Sequence, residues 1–197
     1  MTTYGLFDWD DLGAGTDKLY TFPADTKIVE FFHQGPGAGG GAGDATSAGG
    51  AGGSGAKNII IMRGDLGLKS VHIILPVGGL KGIAPGGNGH PALSHSRIIF
   101  DNGWEWIAGS GNIGYGGDGR PGPGGASGNV ASIGNPPSYI QKYGQFNGGS
   151  FNGGDGTLRL WGTGGNQGDA GGGGQGGWMN QDGTDGQGGY LHMRFYK

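Results

Sequence analysis

From Gly162 to Gly189 every third residue is glycine, with the single exception of Asn180. Two further series keep the same spacing. Gly37, Gly40 and Gly43 continue across Thr46 to Gly49, Gly52 and Gly55, and Gly116, Gly119, Gly122, Gly125 and Gly128 follow later in the chain. A period of three is that of the polyproline II helix, which turns once in three residues and rises ~3.1 Å per residue. Glycine at each third position strips one edge of such a helix of side chains, so that another segment can approach its backbone. The polyproline II backbone makes no internal hydrogen bonds, and its buried N–H and C=O groups must pair with neighbouring segments. The spacing therefore predicts several short runs packed side by side as a bundle within one chain. A collagen triple helix is excluded, because the chain has only nine prolines and its runs are short and separated by apolar segments.

Glycine is the residue most costly to order, by roughly 0.5–1 kcal/mol relative to alanine in regular structure, and 54 glycines in 197 residues would leave many chains disordered. Aromatic residues at 10% and charged residues at only 14% oppose that outcome here. There is no cysteine, which rules out disulfides, thiolate metal sites and thiol nucleophiles. The formal net charge is −3 with no run of lysine or arginine, so the chain is not expected to bind nucleic acid or an anionic membrane. The acidic opening MTTYGLFDWDDLG is unlike a signal peptide, and no apolar run approaches the ~20 residues of a membrane span. Synthesis in the cytoplasm without a leader is the expectation.

Between the glycine series lie β-patterned segments. Leu19–Phe22 and Lys27–His33 flank Pro23-Ala24-Asp25 and read as strand, turn, strand. Asn58–Arg63 and Ser70–Val77 are β-branched runs around Gly64-Asp65-Leu66-Gly67. Arg97–Phe100 and Trp104–Ile107 flank Asp101-Asn102-Gly103, a hairpin signal for which Asn-Gly favours positive φ at both central positions. Trp104 and Trp106 alternate onto one face, which assigns them to the core. Thr157–Trp161 alternates, and so does Tyr190–Lys197, with Leu191, Met193 and Phe195 on one face and His192, Arg194 and Tyr196 on the other. No segment has the period of an amphipathic helix. The expected fold is all-β: a small β-sandwich with polyproline II-type runs packed as a bundle and essentially no helix, over residues 18–197, preceded by an N-terminal docking arm over 1–17.

The order of an aromatic strand (Tyr20-Thr21-Phe22), a Pro23-Ala24 turn, the apolar strand Lys27–Phe32 and a burst of glycines (GPGAGGGAG) resembles the opening of the glycine-rich domain of bacteriophage tail fibre and minor tail proteins. The glycine series are similar to those of the distal adhesins on the long tail fibres of T-even-like phages. In that family they form a polyproline II bundle whose intervening loops touch the bacterial receptor. The resemblance implies a virion tail component that attaches to the host surface, with an outer-membrane protein or a saccharide as receptor and other tail subunits as partners. Tail fibres are commonly homotrimers and tip adhesins single copies; the sequence leaves both open. The alternatives are a purely structural tail or baseplate subunit and an ice-binding protein. Springtail antifreeze proteins are also glycine-rich, but those are usually free of strands and often carry disulfides.

The same resemblance implies binding through the glycine-poor interruptions. Residues 129–151 hold Tyr139, Tyr143, Phe146 and Phe151 beside Asn135, Gln141 and Asn147, and rigid aromatics beside amides suit saccharide or protein-loop recognition. Trp178 and Met179 precede the break at Asn180, and Tyr115 closes a shorter interruption. These six aromatics, Tyr115, Tyr139, Tyr143, Phe146, Phe151 and Trp178, are the candidate receptor-binding residues. No enzyme is expected. The five histidines are scattered, no serine nucleophile motif occurs, and no cofactor or metal set is legible. Asp118, Asp155, Asp169, Asp182 and Asp185 adjoin glycines but lack the nonapeptide period of calcium β-rolls.

Overall fold

A computed structural model describes residues 5–146 and 171–197. Its strands are β1 (Leu6–Leu12), β2 (Thr16–Thr21), β3 (Ile28–Gln34), β4 (Lys57–Arg63), β5 (Ser70–Leu75), β6 (Ser96–Ile99), β7 (Glu105–Ala108), β8 (Val130–Ile133), β9 (Ile140–Phe146) and β10 (Tyr190–Tyr196). They form two five-stranded sheets, β1-β10-β3-β4-β9 and β2-β5-β6-β7-β8, antiparallel throughout. The described residues contain no helix. The period-two alternation buries one face of each sheet: Val29, Phe31, Ile60, Met62, Leu191, Met193 and Phe195 from the first meet Val71, Ile73, Leu75, Ile98 and Trp106 from the second. Trp104 and Trp106 are both buried and meet at a tilt of 42°, with ring centroids 5.5 Å apart.

Two pairs of successive strands joined by short turns are split between the sheets. β2 and β3 belong to different sheets, and the Pro23-Ala24-Asp25 turn between them, with Asp25 at φ 67°, carries the chain across the core. The same holds for β4 and β5 around Gly64-Asp65-Leu66-Gly67. The Asp101-Asn102-Gly103 hairpin is present, but positive φ is confined to Gly103, because the Asn102 carboxamide is held by the Trp104 N–H and by the Asn135 carbonyl. Residues expected as an N-terminal arm are in the sheets from Leu6 onward. β1 and β2 pair along their lengths with β10 and β5 as edge strands of the two sheets. The strand expected over 157–161 lies outside the described residues.

At one end of the sandwich the strands run on into glycine segments. β3 continues into rod 1 (36–44), which reverses into rod 2 (47–56) and β4. β5 continues into rod 3 (76–83), then rod 4 (87–90) leads back to β6. β7 continues into rod 5 (109–117), then rod 6 (122–129) leads to β8. Rod 7 (171–177) and rod 8 (181–189) lead to β10. The rods are tied by hydrogen bonds that repeat every third residue. From rod 1, the N–H groups of Gly37, Gly40 and Gly43 reach the carbonyls of Gln187, Thr184 and Gln181 in rod 8. Those of Ala38 and Gly41 reach Gly53 and Gly50 in rod 2, and those of Gly39 and Ala42 reach His90 and Gly87 in rod 4. In return its carbonyls accept from Gly79 and Gly82 of rod 3, Gly111, Gly114 and Gly117 of rod 5, and Gly174 and Gly177 of rod 7.

Rod 1 is thus the axis of a ring of six, whose members alternate in direction: rods 2, 4 and 8 run antiparallel to it and accept, and rods 3, 5 and 7 run parallel and donate. The ring closes, since neighbours around it (2 with 7, 7 with 8, 8 with 3, 3 with 4, 4 with 5, 5 with 2) are also hydrogen-bonded. Gly35 to Gly43 are buried throughout, in a core made of backbone. Close approach is what demands glycine here: a Cβ on Gly40 would stand 1.9 Å from the carbonyl oxygen of Gln175. Pro36 sits beyond the reach of the short rod 4, where an N–H would have no fourth-rod carbonyl to meet.

Candidate functional site

Because rods 1, 3 and 5 continue β3, β5 and β7 from the same end of the sandwich and rod 7 runs parallel to them, all four reversals between rods fall together at the far end of the bundle. They are residues 44–47, 83–86, 117–121 and 178–181. The breaks in the glycine series mark two of them: Thr46 lies in the first reversal and Asn180 in the last. Asn180 takes φ 56°, a left-handed conformation that asparagine tolerates better than most side chains. Gly119 takes φ 65° in the third.

Asp44 ties this tip together. Its Oδ1 accepts from the N–H groups of Thr46 (2.7 Å) and Ser47 (2.6 Å) and from Ser47 Oγ (2.8 Å), while its Oδ2 accepts from the N–H of Gly119 in another reversal at 2.5 Å. Its backbone carbonyl accepts from Asn180 N–H at 2.8 Å. The Gly119 N–H first, then those of the 44–47 turn, hold the Asp44 carboxyl well below the usual carboxylate range. Asp182 does the equivalent for the 83–86 reversal. It accepts from Ala84 N–H at 2.9 Å and pairs with Lys81 Nζ at 3.0 Å, and these partners lower its own pKa and raise that of Lys81. Asp185 accepts from Lys81 N–H at 2.7 Å. The carboxylates of Asp44, Asp182 and Asp185 are thereby engaged in fixing backbone. The side chains left outward include Trp178 (64% exposed), Ile83 (59%) and Met179 (42%).

The tip is consequently a set of short loops with little freedom left to lose. Asp44→Ala is expected to accelerate amide exchange at Thr46, Ser47 and Gly119 by roughly tenfold or more, since each N–H loses a charged acceptor. Hydrogen-exchange NMR of the two proteins checks this, with amides of β3 and β10 as unchanged internal references.

The candidate aromatics do not converge. Trp178 is at the tip. Tyr115 is on the flank of rod 5, 46% exposed. Of the stretch 129–151, expected as a binding loop, Val130–Ile133 and Ile140–Phe146 form β8 and β9 of the sandwich, and residues 147–151 lie outside the described residues. Tyr143 stands edge-on to Trp104 and Trp106, with centroids 5.6 and 5.0 Å away, and closes the open side of the core while keeping one edge in solvent. Tyr139 donates its hydroxyl to Asp101, with Lys69 Nζ 5.3 Å from its ring centre. The side chain of Phe146 and the whole of Phe151 lie outside the described residues. Ile83 and Asp44 were not singled out from sequence. The break at Thr46, equivalent to that at Asn180, is the signal that could have found Asp44. Among the described residues no three His, Asp or Glu side chains gather as a metal site. No protein-family model matches the chain, and no curated protein matches it.

Proposed function

We propose that this chain is a phage tail fibre or tail tip protein that binds the bacterial surface through the far end of its rod bundle. The observation that carries the reading is the collection of four reversals at one end of a ring of hydrogen-bonded rods, fixed to one another by Asp44 and Asp182 and presenting Trp178, Met179 and Ile83 outward. Loops held in place at both ends lose little conformational entropy on binding, so more of the contact energy appears as affinity. Exposed tryptophan and methionine are the side chains enriched at the centres of recognition surfaces. In this reading the sandwich end faces the rest of the tail, the tip meets an outer-membrane protein or a saccharide, and no catalysis is involved.

Fluorescently labelled protein should bind saturably to cells on which its phage plates and should compete with phage adsorption. Trp178→Ala, at an exposed reversal, is expected to weaken that binding by about tenfold or more while leaving the melting temperature unchanged. A folded protein that neither binds the host nor blocks adsorption sinks the adhesin reading in favour of a structural tail subunit.

A further inference from the structure

Rod 6 stands outside the ring of six. It lies in the groove between rods 2 and 5, where Gly122, Gly125 and Gly128 donate to the carbonyls of Ala48, Ala51 and Ser54, and its own carbonyls at Pro123, Ala126 and Asn129 accept from Tyr115, Asn112 and Gly109. That arrangement defines what fits such a groove: a three-residue-per-turn segment with small residues facing inward. A second groove runs alongside, on the other side of rod 5. Its wall is rod 6, its floor is rod 5 with Asn112, Ile113 and Tyr115, and its far side is Pro91 and His95, where the chain leaves the short rod 4. It encloses about 450 Å³ toward the tip and about 320 Å³ toward the sandwich. No rod among the described residues fills it. The N–H groups of Ile113, Gly124 and Ser127 along it have no protein partner among the described residues, whereas the N–H groups of Ser110 and Gly116 are capped by the His95 ring and the Asn88 carboxamide.

Two further observations point to a protein occupant. Exposed apolar side chains collect along this flank: Leu93, between Pro91 and His95, is 94% exposed, Tyr115 46%, and Ile133, on the same face of β8 as the groove-lining Ala131, 56%. Single exposed apolar residues need no explanation, but a row of them beside a groove does. The second observation is Gly124. A Cβ on its neighbour Gly125 would fall 1.9 Å from the Asn112 carbonyl oxygen, so Gly125 is required by packing within the chain. A Cβ on Gly124 would meet nothing nearer than the Ala51 carbonyl oxygen at 3.5 Å. Nothing among the described residues demands glycine at this exposed ridge position, which lines the second groove.

We propose that this flank is a self-association surface, in which rod 6 of a second copy enters the groove of the first and the first returns the contact. A ridge and a matching groove side by side on one surface are the condition for an isologous two-fold pair. Rod 6 supplies the ridge, with Pro123, Gly124 and Ala126 exposed along it. A two-fold axis along the rods keeps both tips pointing the same way. The occupant is a second copy because the groove requires a three-fold rod and the same flank offers one. The inference does not rest on the adhesin reading.

Sedimentation equilibrium of the full chain tests it. The wild type is expected to be a reversible dimer. Gly124→Trp, which fills the groove side of the ridge, is expected to raise the dissociation constant by more than about tenfold while melting with the wild type at concentrations where both are monomeric. Leu93→Asp should act in the same direction, and Trp178→Ala at the distant tip should have no effect. A wild type that sediments as a monomer, or a dimer that neither Gly124→Trp nor Leu93→Asp weakens, overturns the proposal. A trimer that both variants dissociate would place the same flank in a closed ring rather than a two-fold pair, and would overturn the stated symmetry.

Discussion

Gly40→Val is expected to leave the chain unable to reach its native state, or to lower its stability by about 3 kcal/mol or more. The new Cβ would lie 1.9 Å from the carbonyl oxygen of Gln175 and 2.4 Å from its carbon, both backbone atoms of rod 7. A side chain could rotate away, but a backbone carbonyl can move only with its rod. Rod 7 is held on both sides, donating to Ala38 and Gly41 of rod 1 and accepting from Gly49, Gly52 and Gly55 of rod 2. Relieving the clash therefore opens the ring and strips partners from buried amides, each of which costs about 1–3 kcal/mol when left unpaired. One effect has the opposite sign. Replacing glycine removes backbone freedom from the unfolded chain and would stabilise by about 0.4–1 kcal/mol where the native backbone tolerates it. That gain is too small to offset the clash. Thermal unfolding of the soluble fraction is the measurement. Gly174→Val, with its Cβ 1.9 Å from the Thr184 carbonyl oxygen, should behave alike. Gly124→Ala, where there is room, should be neutral or slightly stabilising. A Gly40→Val protein that melts with the wild type would mean that the rods are not packed as described.

The period-three spacing carried much of this architecture in the sequence. Close approach leaves no room for a Cβ at Gly37, Gly40 or Gly43, and the same constraint recurs at Gly174 and Gly183, so the series that names the rods is a direct record of their contacts. The alternation of Leu191, Met193 and Phe195 against His192, Arg194 and Tyr196 was equally legible, because one face of β10 is sealed in the core and the other carries the Asp11–His192 and Glu30–Tyr196 contacts. Trp104 and Trp106 followed from the same rule.

Strand pairing was less legible. A short polar turn after a strand permits either a hairpin in one sheet or a step across to the other, and the residues of Pro23-Ala24-Asp25 do not distinguish them. Only the pairing of β2 with β5 and of β3 with β10 and β4 does so. The site was legible in part for a related reason. The break at Asn180 announces that the glycine edge ends there, and Trp178 beside it was accordingly singled out. That the reversals at Asp44, Ile83, Gly119 and Trp178 meet at one end depends on rods 1, 3 and 5 leaving the sandwich from the same edge with rod 7 parallel to them, a property of the topology that no local pattern encodes. Within the stretch 129–151, tyrosines beside amides look alike in a binding loop and at the rim of a core, so its strands β8 and β9 and the contact of Tyr143 with Trp104 and Trp106 were not legible.

Acidification is expected to unfold the protein earlier than its carboxylates alone would dictate, through His33. This residue is at the end of β3, where the sandwich passes into the bundle, and is 2% exposed. Neither ring nitrogen has a partner of normal hydrogen-bond geometry among the described residues, and neither does the carboxamide of Asn58, its cross-strand neighbour. Burial pushes the imidazole down from 6.5 to about 3, with Asn58 opposing only weakly. A histidine whose folded pKa lies below its unfolded value takes up a proton more readily when unfolded. Its contribution is therefore complete above pH 6.5, and stability is lost progressively as the pH falls from there toward 3. By about pH 4 the loss amounts to about 3 kcal/mol, a large part of the stability of an ordinary domain. The depressed carboxyl of Asp44 acts in the same direction but at lower pH, since its own contribution disappears only as the pH drops below the usual carboxylate value. The two windows are separable. Urea unfolding between pH 7 and pH 4 should show a midpoint that falls steadily in the wild type. His33→Leu, which removes the titrating group while keeping the site apolar, should flatten that slope whatever its effect on stability at pH 7. An unchanged slope in the variant would mean that His33 is not the group that takes up the proton.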